Sequence, residues 1–284
     1  MESDETFALG YPRAMASFAH DSRQLAETYD RVSDSQFEGG KRIFERLVLE
    51  EEETARVLDV GCGTGRLARW IAERVGPEGS VAGIDPLPER IAIARSHGGG
   101  LRFEVGQAED LGVFEDASFD AVCMSAVLHW VADKPKALAE IRRVLRPGGH
   151  VGMTTYAQEL ASAGTVARIL EPMLQRPPYA GRVDLSVITF ARRGTTTTDL
   201  IAMIVASGLE LVQLHVTRRV RTYASGADLV EFLEASSFGN FLLIVPEQLR
   251  PTLRADLAAA LDKRKTPEGV VDRSWGVLVV AKRP

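Results

Sequence analysis

Asp59-Val60-Gly61-Cys62-Gly63-Thr64-Gly65 brings a carboxylate and alternating glycines together directly after a short apolar run, Arg56 to Val60, and just before a helical pattern. Glycines in such a turn let the backbone fold tightly and approach a ligand closely, because a Cβ would collide or force an unfavourable φ. A G-x-G pattern alone is weak. Here the spacing is G-x-G-x-G, and Arg66 stands where a dinucleotide fingerprint wants its third glycine. A diphosphate ligand of the usual kind is therefore disfavoured. Asp59 argues the same way, since a carboxylate at the strand's end repels a diphosphate and suits an ammonium or sulfonium charge.

Further along, Ile84-Asp85-Pro86 lies about 20 residues beyond Gly65. An acid at the end of a second strand can accept hydrogen bonds from two ribose hydroxyls. The plainer reading of Asp85 is an N-cap for the helix beginning near Leu87-Pro88-Glu89. Next come Gly106-Gln107-Ala108-Glu109-Asp110-Leu111 and Ser125-Ala126-Val127-Leu128-His129-Trp130. His129 could hold or deprotonate an acceptor hydroxyl, because imidazole titrates near neutrality; a purely structural histidine is the alternative. Trp130 could lend a π face to a cation or an aromatic ligand, or simply pack. The run Ala235-Ser236-Ser237-Phe238-Gly239-Asn240-Phe241 could line a substrate pocket, Phe238 foremost; a helix start with buried phenylalanines explains it equally well.

The elements that must position these residues alternate strictly. Strands at 56–60, 80–84, 101–105 and 119–124 are separated by helical stretches, a helix from about Lys134 to Leu145 follows, and Arg146-Pro147-Gly148-Gly149 turns the chain into a fifth strand, His150 to Thr155. This alternation is the mark of a doubly wound, Rossmann-like α/β sheet. Leu209 to Tyr223 and Trp275 to Ala281 read as sixth and seventh strands. Residues 1–52 form an N-terminal helical cap segment. Residues 53–284 form the Rossmann-like domain, with cap inserts at about 157–196 and 225–268 that can meet the N-terminal segment over one end of the sheet. The Thr195 to Thr198 run leads into a helix around Asp199 to Ser207.

The span from Asp59 to about Thr155 resembles the UbiE-like, or type 11, family of class I S-adenosylmethionine-dependent methyltransferases. The resemblance rests on Val57 to Gly65, Phe119-Asp120-Ala121-Val122 and Leu145-Arg146-Pro147-Gly148-Gly149, which occur in order at the right spacings. It implies seven strands, the last antiparallel, with S-adenosyl-L-methionine across the carboxyl ends of the first four and S-adenosyl-L-homocysteine as the product. It places Asp59, Gly61, Cys62 and Gly63 at the methionine part, Asp85 and Pro86 at the ribose, and Gln107, Ala108 and Glu109 at the adenine; Ser125 and Ala126 complete the cofactor set. Many relatives have aspartate at Gln107, and an amide keeps both a donor and an acceptor there. Tyr29 and Gln36 resemble a segment that closes over the cofactor, and His129 and Trp130 fall beside the transferable methyl. The expected acceptor is a small molecule, with oxygen slightly favoured over nitrogen, sulfur or carbon.

Composition narrows the rest. The 284 residues carry a net charge of -5, which gives no footprint for nucleic acid. Arg192-Arg193, Arg218-Arg219 and Lys263-Arg264-Lys265 read as solvated faces. Two cysteines make neither a disulfide framework nor a metal set, so no metal and a cytoplasmic setting are expected. They also argue against arsenite methylation. The acidic first residues are not a secretory signal, and no apolar run is long enough to span a membrane. Monomer and homodimer both remain compatible. The rival readings are an interaction protein that binds S-adenosylmethionine without catalysis, and an NAD(P)-dependent oxidoreductase.

Overall fold

The structure is a computed structural model, and it describes residues 21–49, 51–183, 195–237 and 240–284. Two helices come first, α1 (Arg23–Val32) and α2 (Asp34–Phe44). The alternation then runs β1 (Arg56–Val60), α3 (Arg66–Val75), β2 (Ser80–Asp85), α4 (Pro88–His97), β3 (Arg102–Val105), β4 (Phe119–Ser125), α5 (Lys134–Val144) and β5 (Leu145–Thr155). The remainder is α6 (Thr165–Leu174), α7 (Thr197–Ala206), β6 (Glu210–Tyr223), α8 (Gly226–Ser236), α9 (Arg250–Asp262) and β7 (Val270–Lys282).

The seven strands form one sheet in the order β3-β2-β1-β4-β5-β7-β6. β1 pairs in parallel with β2 and β4, whereas β7 runs antiparallel to both β5 and β6. Strand order reverses between β1 and β4, so a crevice opens at their carboxyl ends, the place where open α/β sheets bind ligands. β1 and β4 are apolar along nearly their whole length because helices cover both faces. One core lies under α5 and α7 and the other under α2 and α3, with Ile43 of α2 wedged against Gly152 of β5.

The caps form a third apolar cluster, in which Ile169 and Leu170 of α6, Phe232 of α8 and Leu253 and Leu257 of α9 pack together. Side chains start helices here and on the sheet: Ser225 accepts from the Asp228 amide at the start of α8, and Thr196 from the Asp199 amide at the start of α7. The Ala235–Phe241 run is the end of α8 and the entry to a short 3-10 turn (Asn240–Ile244), not a helix start. Phe238 lies outside the described residues, as does the Arg192-Arg193 pair.

Two boundaries differ from expectation. The Arg146–Gly149 turn is incorporated into β5 as an irregularity, with Leu145 paired to Phe119 and His150 to Ala121. Arg146 is tied back to Asp120 at 2.8 Å, and Gly148 takes a φ of +82°. β7 begins five residues before Trp275, at Val270. Asp272, Arg273 and Ser274 hide its start from a hydrophobicity reading, yet Asp272 is buried.

Candidate active site

The glycine turn after β1 is shaped by its own backbone. Gly61, Gly63 and Gly65 have φ of +72°, +54° and +76°, a region closed to most residues with a Cβ. At Gly61 that Cβ would run into Val127, and at Gly63 it would come within 3.2 Å of the Tyr29 ring. The amides of Gly61 and Cys62 donate to the Ile84 carbonyl at 2.7 and 3.1 Å, locking the turn onto β2.

Asp85 completes that lock. Its Oδ2 accepts from the Gly63 amide at 2.9 Å and its Oδ1 from the Leu87 amide at 3.0 Å. The N-cap of α4 is Leu87, so Asp85 is a clamp across two turns rather than the cap of that helix. Each carboxylate oxygen retains a second lone pair, and Asp85 borders the cleft. Burial raises its pKa, while the Arg90 charge and both amides oppose the rise.

Asp59 is 2% exposed, and its Oδ2 has no partner among the described residues. Burial, followed by the charge of Asp85, lifts its pKa to about 7. A buried carboxyl with an open acceptor beside a glycine cradle is complementary to a ligand ammonium.

Three adjoining hollows cross the carboxyl ends of the strands. The first, about 30 Å³, is bordered by Asp59, Cys62, Gln36 and Ser125. The second, about 70 Å³, lies among Tyr29, Gly63, Asp85, Pro86, Ala126 and His129. The third, about 50 Å³, is walled by Gly106, Gln107, Ala108, Glu109 and Trp130. Gly61 borders all three. Every sequence-predicted residue except Phe238 thus lies along one crevice. Two of them have a second duty: Cys62 turns its sulfur into the core against Gly83, and the Glu109 carboxylate accepts from the Ala132 and Asp133 amides at 2.9 and 3.2 Å.

The Ser125-Ala126 step joins the crevice to α2. Ser125 Oγ donates to the Gln36 carbonyl at 2.7 Å, and the Ala126 amide donates to Thr154 Oγ1 at 3.0 Å. Ala126 has a φ of +59°, a strained conformation for a residue with a Cβ, held by those bonds. His129 is 5% exposed, its ring edge-on to Tyr156 with centroids 4.6 Å apart and its Nδ1 3.5 Å from Thr155 Oγ1.

Sequence reasoning missed Tyr156 and Arg90, whereas Ser236 and Phe241 belong to the Ala235–Phe241 run read as lining a substrate pocket. Arg90 is 2% exposed, stacks on the Tyr29 ring at 3.9 Å and donates to the Ala235 carbonyl at 2.9 Å, thereby tying α1, α4 and α8 over the crevice. An arginine at the third position of a helix gives no signal of this. Tyr156 and Ser236 border both the crevice and a larger apolar chamber of about 160 Å³ beneath α6 and α8. Leu170, Phe232, Leu233, Phe241 and Trp275 are among its walls. No metal-binding group of three or more His, Cys, Asp or Glu occurs among the described residues, and no described helix is long and apolar enough to cross a membrane.

The strand order, antiparallel β7 and glycine-and-acid crevice together define a class I S-adenosylmethionine-dependent methyltransferase fold. The chain carries a methyltransferase domain of the type 11 family, matched over residues 58–153. It is 33% identical over 153 residues to the chloroplastic 2-phytyl-1,4-beta-naphthoquinone methyltransferase of Arabidopsis thaliana, covering 50% of this chain and 58% of that protein. With the ubiquinone/menaquinone biosynthesis C-methyltransferase UbiE of Hahella chejuensis it shares 36% identity over 142 residues, 47% of this chain and 57% of that one. The chain thus spans little more than half the length of these curated relatives. Among solved structures, a putative methyltransferase from Bacillus halodurans superposes with a TM-score of 0.55 at 18% identity, covering 86% of this chain and 98% of that one. The [4+2]-cyclase SpnF superposes at 0.56 with 21% identity, over 97% and 98% of the two chains. These likenesses concern the fold.

Proposed function

We propose that the protein transfers a methyl group from S-adenosylmethionine to a small apolar acceptor bearing a hydroxyl. The observation that carries this reading is the junction at Tyr156 and Ser236, which border both a crevice suited to the donor and an apolar chamber, with His129 of the crevice edge-on to Tyr156. When bound, the sulfonium supplies an activated methyl group, and the work left to the protein is alignment and exclusion of water. Asp59 offers its carboxylate to the ammonium, Asp85 to the ribose, and Gln107 its amide to the adenine edge. Tyr29, held on Arg90, closes the crevice from above. His129 stands at the mouth of the chamber, where it accepts the acceptor's hydroxyl proton as the oxygen or the conjugated ring becomes nucleophilic. The hydroxyl proton leaves first whether oxygen or an adjacent ring carbon attacks; after carbon attack the ring C–H proton leaves as well and the hydroxyl is re-formed, so one proton is released in either case. C-methylation in ubiquinone/menaquinone biosynthesis, for which the Hahella chejuensis relative is named, and the O-methylation favoured from sequence therefore share the first proton transfer to this histidine.

The test is calorimetric titration with S-adenosylmethionine, S-adenosylhomocysteine and NADH, repeated on Asp85→Ala. The adenosyl ligands should saturate the protein, and the variant should bind them at least about 100-fold more weakly, because the clamp on Gly63 and Leu87 and the ribose acceptor go together. Binding of NADH instead would overturn the reading. Labelled-methyl transfer onto a panel of phenols and quinols then separates the enzyme from a binding protein, and mass analysis of the product separates O- from C-methylation.

A further inference from the structure

The sheet face beyond α2 carries a polar surface that the methyl-transfer reading does not use. A groove of about 1050 Å³ runs over β6 and reaches Gln36, Ala126 and Tyr156 at the edge of the donor crevice. Its floor includes Arg219 and Arg221, two residues apart on β6 and hence on one face. On the same face of β7, in register, lie Ser274 opposite Arg219 and Asp272 opposite Arg221. The sequence reading of Arg218-Arg219 as a solvated face is therefore corrected for Arg219, which is half-buried.

The charges on this face do not cancel. Arg221 has Asp272 at 3.9 Å. Arg219 has no carboxylate partner among the described residues. Burial, together with the nearby Arg221 and Arg42, pulls its pKa below the ordinary guanidinium value, while Tyr156 opposes the shift. The Ser274 hydroxyl, also buried, has no hydrogen-bond partner among the described residues. Gly276 provides the space: its φ lies outside the glycine-favouring region, yet a Cβ there would strike the Arg219 guanidinium. The guanidinium thus lies flat across the strand at a position where any other residue would displace it. It sits 5.8 Å from the Tyr156 ring, whose edge meets His129.

We infer that Arg219, seated on Gly276, binds a carboxylate of the acceptor, and that the acceptor is an amphipathic acid with its apolar body in the chamber and its hydroxyl toward His129. The inference rests on the methyl-transfer reading and adds the acceptor's chemical class. Asp272 stands across the strands from Arg221, so a phosphate dianion would set its second charge near that carboxylate, whereas a monoanion need meet only the Arg219 guanidinium. The chamber and groove meet at Tyr156 and Arg221, so one molecule can occupy both. The carboxylate is a handle held one tyrosine ring away from the reacting end, not the group that is methylated.

The experiment uses the full chain saturated with S-adenosylhomocysteine and titrates 4-hydroxycinnamate, indole-3-acetate and decanoate, each against its methyl ester, with decyl phosphate as a further arm. At least one acid should bind tenfold or more tightly than its ester. Arg219→Met and Gly276→Ala should each abolish that preference while leaving ester and S-adenosylhomocysteine affinity within twofold. Gly276→Ala moves only the end of a flexible side chain, so it keeps the test open should Arg219→Met fail to fold. Esters binding as well as acids, a preference that survives both variants, or decyl phosphate binding more tightly than decanoate would overturn the assignment. Loss of S-adenosylhomocysteine binding in the unaltered protein would instead overturn the donor reading on which it rests.

Discussion

The donor crevice and the acceptor chamber are held together by different means. In the crevice, main-chain groups fix the geometry: the Gly61 and Cys62 amides on Ile84, the Gly63 and Leu87 amides on Asp85, and the Ala126 amide on Thr154. Its residues come from consecutive strand ends. The chamber is closed by side chains of α6, α8 and β7 that are far apart in the chain and meet chiefly through packing, with a hydrogen bond from the Arg273 amide of β7 to Thr165 Oγ1 of α6 at 2.8 Å. Backbone geometry tolerates few residue types at each point, whereas packing tolerates any set of similar volume. A shared donor with a variable acceptor fits that division.

Substitutions can separate the two halves, and the largest effect belongs at their boundary. His129→Ala should lower kcat by about 10²–10⁴ with little change in S-adenosylhomocysteine affinity; near-normal turnover would reduce His129 to a packing residue. Gly61→Ala, which forces a Cβ toward Val127 at a φ of +72°, should weaken the adenosyl ligand by about 100-fold, and unchanged affinity in calorimetry would break the backbone half of the comparison. Leu233→Ala, on the chamber wall, should raise the acceptor KM about tenfold and leave donor binding alone; a parallel loss of both would show that the halves are coupled.

The smallest effect concerns protonation. Asp59 has a pKa near 7 in the folded chain against an ordinary 3.8, so between those values the folded state holds a proton that the unfolded state has released. Stability of the ligand-free protein therefore falls as pH rises through that window. Thermal midpoints recorded at pH 5 and pH 8 should show this, and Asp59→Asn should narrow the gap. An unchanged gap would mean that other buried acids carry the dependence.

The contrast also explains what the sequence disclosed. The glycine turn, Asp85 and Gln107-Ala108 were legible because a tight turn and a strand-end acid require particular residues at particular spacings. His129 was legible through its place after β4. Arg90 and Tyr156 were not, because an arginine and a tyrosine are ordinary surface residues until folding brings α1, α4, α8 and β5 together. Arg219 was hidden in the same way: its burial depends on a glycine 57 positions later in the chain. The beginning of β7 escaped notice because its polar residues face a lined cavity rather than a core.

β6 and β7 remain paired from Tyr223 and Val270 to the sheet's far end, whereas β5 joins β7 only from Val277 onward. The first seven residues of β7, roughly 23 Å at the usual rise per residue, therefore project with β6 as a two-stranded cantilever. Its root is embedded in the sheet that carries the donor turn, and its far end, packed into the caps through Val270, carries Arg221, Asp272 and Ser274. A small bend at the root becomes a larger displacement at the tip. The β6–β7 pair is accordingly a natural unit of exchange: replacing it together with α9 would retune the acceptor wall, whereas α8, to which Arg90 ties the donor crevice, would have to stay.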